Sequence, residues 1–472
     1  MNFDLSWDNS WRTSTYESNW DAAWVFAKWR LKNTLIWNHA SLNLTGHTAP
    51  TNAIIETPGD GKGVFIYKST DTISSNTFTS AKLRWEYGVD GLQDNDSVEI
   101  CVFAIEMVFI PQGAFYLGDG QIAGKIEGNF TTENTTDPFY LTSEAAITLG
   151  DGSAGSMGDN GGNGMDFDDD FAGGAAKILP AAFPKGYNAF YIMKYEISQE
   201  QYVEFLNKLT YTQQAARTAV APSSATGTGA LSNTFRNGID LNTPGTNPNI
   251  PAVYSCNYNG NAIYNQAGDG QNIACNFMSW ADLAAYLDWS GLRPFTELEY
   301  EKACRGSGIT PFIEEYAWGD TTLKGAKSIL YAGFNNETDT ITGANAAYRD
   351  TSGVQGPMRV GCFAKTSTDR TYSGGAYYGA MDMSGNLWER IITVGNSSGR
   401  LYTGIHGDGS LDASGSADVT NWPASNALGV GSRGGGWESD AVSLRISSRY
   451  YSMTTVATRG KYYGGRGVRI AP

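Results

Sequence analysis

Residues Met381 to Arg390 read MDMSGNLWER and place a carboxylate, a glycine, an indole and a second carboxylate within ten positions. Asp382 and Glu389 are hard oxygen donors, and Gly385 between them permits a tight turn that can aim backbone carbonyls inward, which is what a calcium ion requires. Trp388 is suited to pin such a loop to a core. Taken alone, the same ten residues are equally a turn with a buried Trp and two solvated acids. Their neighbours in the chain decide between the two.

Further stretches stand around the loop in a fixed order. MVFIPQGAFYLGD runs from Met107 to Asp119, FYIMKYEISQEQYVEFLN from Phe190 to Asn207, and NFMSWADLAAYLDWSGLRPFTELEYEKACRG from Asn276 to Gly306. YAWGD follows at Tyr316, SRGGGW spans Ser432 to Trp437, Arg445 and Arg449 come next, and GVR closes the series at Gly467 to Arg469. Together these motifs resemble the formylglycine-generating enzyme family, also called sulfatase-modifying factor domains, from about Ile105 to the C-terminus. The resemblance implies an α+β, elaborated C-type-lectin-like fold for residues 105–472, with insertions near 150–174 and 210–270.

The same resemblance implies a structural calcium held by Asp382, the carbonyls of Gly385 and Leu387, and Glu389. A second family calcium site would involve Asn345, the Ala346 carbonyl and position 352, where this chain has Ser352. Oxygen-dependent members of the family hold copper(I) through two cysteines beyond the RGG motif, because a soft ion wants thiolates. Aligned on SRGGGW, those two positions are Ser439 and Leu444, and no cysteine follows Cys362. The three-histidine iron site of related sulfoxide synthases has no counterpart either, since the chain carries only His39, His47 and His406. No copper or iron is therefore expected, and no GxSxG, P-loop or HExxH motif offers other chemistry.

The expectation is a pseudoenzyme: a non-catalytic binding or structural protein, with calcium but no catalytic residue. Gliding-motility and type 9 secretion proteins of Bacteroidota, and the variable ligand-binding proteins of diversity-generating retroelements, use the scaffold in this way. The rival is an enzyme of the family with non-copper chemistry. The expected ligand groove comprises Trp437, Glu438, Ser439, Asp440, Tyr450, Tyr451 and Arg459, residue types that anchor interfaces. Its partner would be a polypeptide or a surface glycan, unless the 210–270 tract seals the groove from within.

Composition narrows the setting. A net charge of −15, with only 33 Lys and Arg, argues against binding nucleic acid through its phosphates. No apolar run is long enough for a transmembrane helix, and MNFDLSWDNSW lacks the basic and apolar regions of a signal peptide. The abundance of Tyr, Trp, Thr, Asn and Gly points to an extracellular or cell-surface β-rich protein, with any signal peptide absent from this chain. Five cysteines do not make a disulfide framework at this length, although Cys256 and Cys275 bracket a loop they could bridge.

Residues 1–104 read as short β-branched and aromatic runs separated by Gly, Asn and Asp, which predicts an all-β, sandwich-like domain. Its Trp7, Trp11, Trp20, Trp24, Trp29, Trp37 and Trp85 are assigned to a core. The Gly- and Asp-rich 150–174 segment, with Asp159, Asp166, Asp168, Asp169 and Asp170, reads as a solvated loop. Ser198 with Gln201 and Thr296 with Glu299 have capping-box spacing, and Gly291 and Gly306 are placed to end helices. The polar, Ala- and Gly-rich 210–270 tract reads as a surface excursion.

Overall fold

The computed structural model describes residues 1–120, 129–133, 135–158, 169–171, 175–349, 354–365 and 368–472. Strands outnumber helices, and the core is organised by one antiparallel seven-stranded sheet. Its main path runs Val468–Ile470, Phe190–Met193, Val98–Ile110, Asp21–Leu31, Val64–Lys68 and Ala53–Glu56, with Asn38–His39 beside Asp21–Leu31. Asp21–Leu31 is central because both its faces are apolar. Ala22, Trp24 and Phe26 point to the core shared with the helices, whereas Ala23 and Val25 point to a second apolar layer. Alternation with period two explains how one strand serves two layers.

The second layer is a two-stranded ribbon, Asn2–Arg12 against Thr72–Lys82, whose Phe3, Leu5, Trp7 and Phe78 pack onto Val25, Val64 and Ile66. The expected sandwich therefore exists only as a ribbon over one face of a larger sheet. The boundary expected at residue 104 falls inside the strand Val98–Ile110, which pairs over eleven residues with Asp21–Leu31 and continues onto Phe190–Met193. An apolar run shows that a strand exists but not which strands flank it. None of the seven N-terminal tryptophans is exposed: Trp24 and Trp29 are buried and the others half-buried. Each fully buried large apolar side chain contributes roughly 1.5–3 kcal/mol.

On the opposite face lie α1 (Gln199–Leu206), α2 (Tyr211–Arg217) and α3 (Trp280–Trp289), while α4 (Glu297–Arg305) packs nearer the loop region. All four begin with a capping box: Ser198 with Gln201, Thr210 with Gln213, Ser279 with Asp282, and Thr296 with Glu299. Gly291 and Gly306 follow α3 and α4 with φ of +71° and +93°, conformations that a Cβ disfavours. The 210–270 tract is not a surface excursion. It contains α2 and a hairpin, Ile239–Thr243 with Val253–Cys256, and buries Leu231, Ile239, Leu241 and Tyr254 in the main core.

All five cysteines are free, Cys256 and Cys275 included. In the 150–174 segment, Asp159, Asp166 and Asp168 lie outside the described residues. Asp169 is not solvated but buried against Arg449 at 2.7 Å, whereas Asp170 is exposed as expected of a solvated loop, with its carboxylate taking both Nη atoms of Arg400. These contacts fasten the insertion to the family domain.

Candidate functional site

The 381–390 loop is buried along its length and opens into the strand Trp388–Ile392. Asp382, Gly385 and Asn386 have φ of +60°, +101° and +64°, so three of its residues occupy the left-handed region. For the two with a Cβ this costs roughly 1–2 kcal/mol each, which surrounding contacts must offset. Gly385 is required by space as well, since a Cβ there would meet the Ala347 carbonyl oxygen at 2.8 Å. Gly385 N–H donates to the Gly434 carbonyl at 2.8 Å, Tyr300 Oη to the Met383 carbonyl at 2.7 Å, and Ser384 Oγ to the Leu444 carbonyl at 2.7 Å.

Asp382 and Glu389 are both buried in this loop, and a third carboxylate, Glu196, joins them from the segment after Phe190–Met193. Asp382 accepts the Gly361 N–H at 2.7 Å. Glu389 Oε1 accepts Arg466 Nε at 2.6 Å, while Glu389 Oε2 is buried with no hydrogen-bond partner among the described residues. Burial pushes the pKa of Asp382 and Glu389 up against the pull of Arg466. It pushes Glu196 well above the usual carboxylate range, with the charges of Asp382 and Glu389 adding to the effect. Nothing in the sequence marked Glu196 or Arg466, because their partners lie far away along the chain.

Asn345 is buried with its amide fully engaged. Its Oδ1 accepts the Lys324 N–H at 2.8 Å and its Nδ2 donates to the carbonyls of Thr322 and Thr371. Its side-chain oxygen is thus taken up by the backbone, and Ser352 lies outside the described residues. The one trio of metal-capable groups within 4.8 Å among the described residues is Asp288, Asp408 and Asp418. There Asp288 already accepts the backbone N–H groups of Asp408 and Asp418.

A groove of about 340 Å³ lies beside Ser439, lined by Arg349, Trp388, Glu438, Ser439, Asp440, Ser443 and the tyrosines 451, 462 and 463. No lining residue comes from the 210–270 tract, so that tract does not seal it. Tyr450 is exposed at 42% and meets Tyr451 edge-on, with centroids 4.7 Å apart. Tyr450 is not itself a lining residue, and two further expected groove residues lie elsewhere. Trp437 is buried, stacks on Phe235 of the tract at 5.4 Å and donates Nε1 to the Lys461 carbonyl. Arg459 grips Asp282 at the start of α3 through two contacts of 2.8 Å and donates to the carbonyls of Ala216 and Thr218. Both side chains found partners more than 170 residues away that no local pattern shows.

Ser439 Oγ accepts the Gly436 N–H at 2.9 Å, and Leu444 is fully buried in a short 3₁₀ turn against the α4 core. Burial raises the Cys304 thiol to about 12 and pushes the thiols of Cys256, Cys275 and Cys362 up as well. Each histidine engages a backbone group: His39 the Lys62 carbonyl, His47 the Arg84 N–H, and His406 the Ile470 N–H.

No curated protein matches the sequence. Among solved structures, Treponema denticola variable protein 1 is similar at 14% identity, over 78% of this chain and 96% of that one, with a TM-score of 0.29. No described helix is long and apolar enough to cross a membrane. The model of the sulfatase-modifying factor enzyme 1-like domain matches residues 171–471, more than half of the sequence, and the chain belongs to that family.

Proposed function

We propose that this chain is a non-catalytic binding or structural protein of the family, working at a cell surface or outside the cell, with its ligand seated in the groove beside Ser439. The observation that carries this reading is the groove itself, which is open, rich in tyrosine and rimmed by Glu438, Asp440 and Arg349, yet lined by no thiol. At the two positions where the family places copper-binding cysteines stand a hydroxyl bonded to its own turn and a leucine sealed in the core. Four thiols elsewhere are buried and held protonated, which denies them the thiolate character that copper(I) and oxidation chemistry require. A polypeptide or a surface glycan suits a groove of this size and mixed polarity, as in the motility, secretion and variable-protein uses of the scaffold.

The proposal includes a structural calcium in the 381–390 loop, with Asp382, Glu389 and the carbonyls of Gly385 and Leu387 as ligands. Two features support it. Three buried carboxylates share one buried guanidinium, a net charge of about −2 when all are ionised, and Glu389 Oε2 has no hydrogen-bond partner among the described residues.

The deciding experiment incubates the chain with a sulfatase-type cysteine peptide, with and without copper, and follows the peptide by mass spectrometry. The expected result is unchanged peptide mass under both conditions. Copper-dependent conversion of the cysteine to formylglycine would make the chain an enzyme and end the binding-only reading.

A further inference from the structure

Several ties to the 381–390 loop and its partner Arg466 come from one short segment, Met193 to Glu196. Met381 donates its N–H to the Lys194 carbonyl at 2.8 Å. Arg466, which holds Glu389, donates Nη1 to the carbonyls of Met193 and Lys194 at 3.2 Å each. Just beyond these ties in the chain stands Glu196, only 1% exposed, whose Oε1 accepts the Leu387 N–H at 2.8 Å and whose Oε2 accepts Asn386 Nδ2. Asn386 Oδ1 in turn accepts the Met358 N–H at 2.8 Å.

The consequence lies in the peptide unit that joins Asn386 to Leu387. Its N–H is held by Glu196, and its carbonyl accepts the Trp437 N–H at 2.8 Å. A peptide unit is planar, so fixing both of its polar atoms fixes its rotation. The carbonyls on either side of it belong to Gly385 and Leu387, the two backbone ligands of the calcium reading. With both oxygens already accepting hydrogen bonds, Glu196 serves the centre by support rather than by ligation. Both of its contacts come from N–H donors, which calls for an acceptor-only group, and among side chains an ionised carboxylate is the fit.

We propose that Glu196 is the positioning residue of the calcium centre, holding the Asn386–Leu387 peptide so that the flanking carbonyls keep a fixed direction. The assignment rests on the calcium reading. Loss of a supporting partner of this kind costs about 10- to 100-fold in metal affinity.

The test uses the full chain stripped with EGTA. Calcium is titrated calorimetrically, terbium by luminescence sensitised through Trp388, and melting temperature is taken in calcium and in EGTA. Wild type is expected to bind both ions. Glu196→Gln, which sets an amide NH2 against one of the two donors, is expected to bind about 10- to 100-fold more weakly and to lose most of the calcium-dependent rise in melting temperature. Glu196→Asp, too short to span both donors, keeps the charge, is the fallback where Gln prevents folding, and is expected to weaken binding in the same direction. If either folded variant binds within twofold of wild type while melting equally lower in both buffers, Glu196 is a core residue only and the assignment is wrong. If wild type binds neither ion, the calcium reading fails first and this assignment falls with it.

Discussion

Two clusters of buried charge differ in how their carboxylates are met. Around α4, Asp169, Glu297, Glu301 and Glu315 alternate with Arg449, Arg433 and Arg305: Arg449 bridges Asp169 to Glu297, Arg433 bridges Glu297 to Glu301, and Arg305 bridges Glu301 to Glu315. In the loop cluster, Glu196, Asp382 and Glu389 have the single buried guanidinium of Arg466. Burial works to raise the pKa of Glu297 as it does that of Glu196. Arg449 and Arg433 outweigh it at Glu297, where the pKa is lowered, while Glu196 is pushed up. Burial alone therefore does not fix the direction of these two shifts; at Glu297 the opposite charge beside it reverses it.

Removing a guanidinium from the well-supplied cluster is the strongest way to break this contrast. Arg433→Met leaves Glu297 and Glu301 each short of a partner, and the predicted loss is about 3–5 kcal/mol in urea denaturation. A loss below about 1 kcal/mol would mean that the alternation contributes nothing to stability.

A second prediction sharpens the contrast through pH. Because the folded-state pKa of Glu297 lies below its ordinary 4.5, its contribution is complete above that value and is lost as pH falls through the lowered one. Wild-type stability should fall below pH 4.5, and Glu297→Gln, though less stable at neutral pH, should fall less steeply there. Parallel pH profiles for the two proteins would remove the ion pairs as the cause.

The smallest effect belongs to an ion pair in neither cluster. Lys461 and Glu438 lie 2.6 Å apart at the edge of the groove, with side chains 25% and 39% exposed. Glu438→Gln is predicted to change stability by less than about 1 kcal/mol, and less still in high salt. A loss comparable to that of Arg433→Met would show that exposure is a poor guide to the value of an ion pair here.

What could be read from the sequence follows the reach of each interaction. Capping boxes at Ser198 and Thr296 act over three residues, so the starts of α1 and α4 were legible. Thr210 and Gln213 carry the same signal, yet the polar composition around them concealed α2. The 381–390 loop stood out because its turn and its acids are adjacent, whereas Glu196 and Arg466 lie remote in sequence and meet it only in the fold. Of the residues expected in a groove, Glu438, Ser439, Asp440 and Tyr451 line one cleft. Trp437 and Arg459 could not be told from lining residues, because Phe235 and Asp282, which bury them, belong to other elements. The N-terminal segment showed the same limit, with strands legible and their neighbours not.

The strand order also bears on how the chain is made. Phe190–Met193 acquires its outer neighbour only from Val468–Ile470, and Arg469 there reaches back to Asp60 and to the Gly291 carbonyl. During synthesis the sheet therefore presents an unpaired edge while more than half of the chain is still to emerge, an interval on the order of tens of seconds at ordinary elongation rates. An open edge is a template for the wrong strand, and it is closed only by Val468–Ile470, far along the chain.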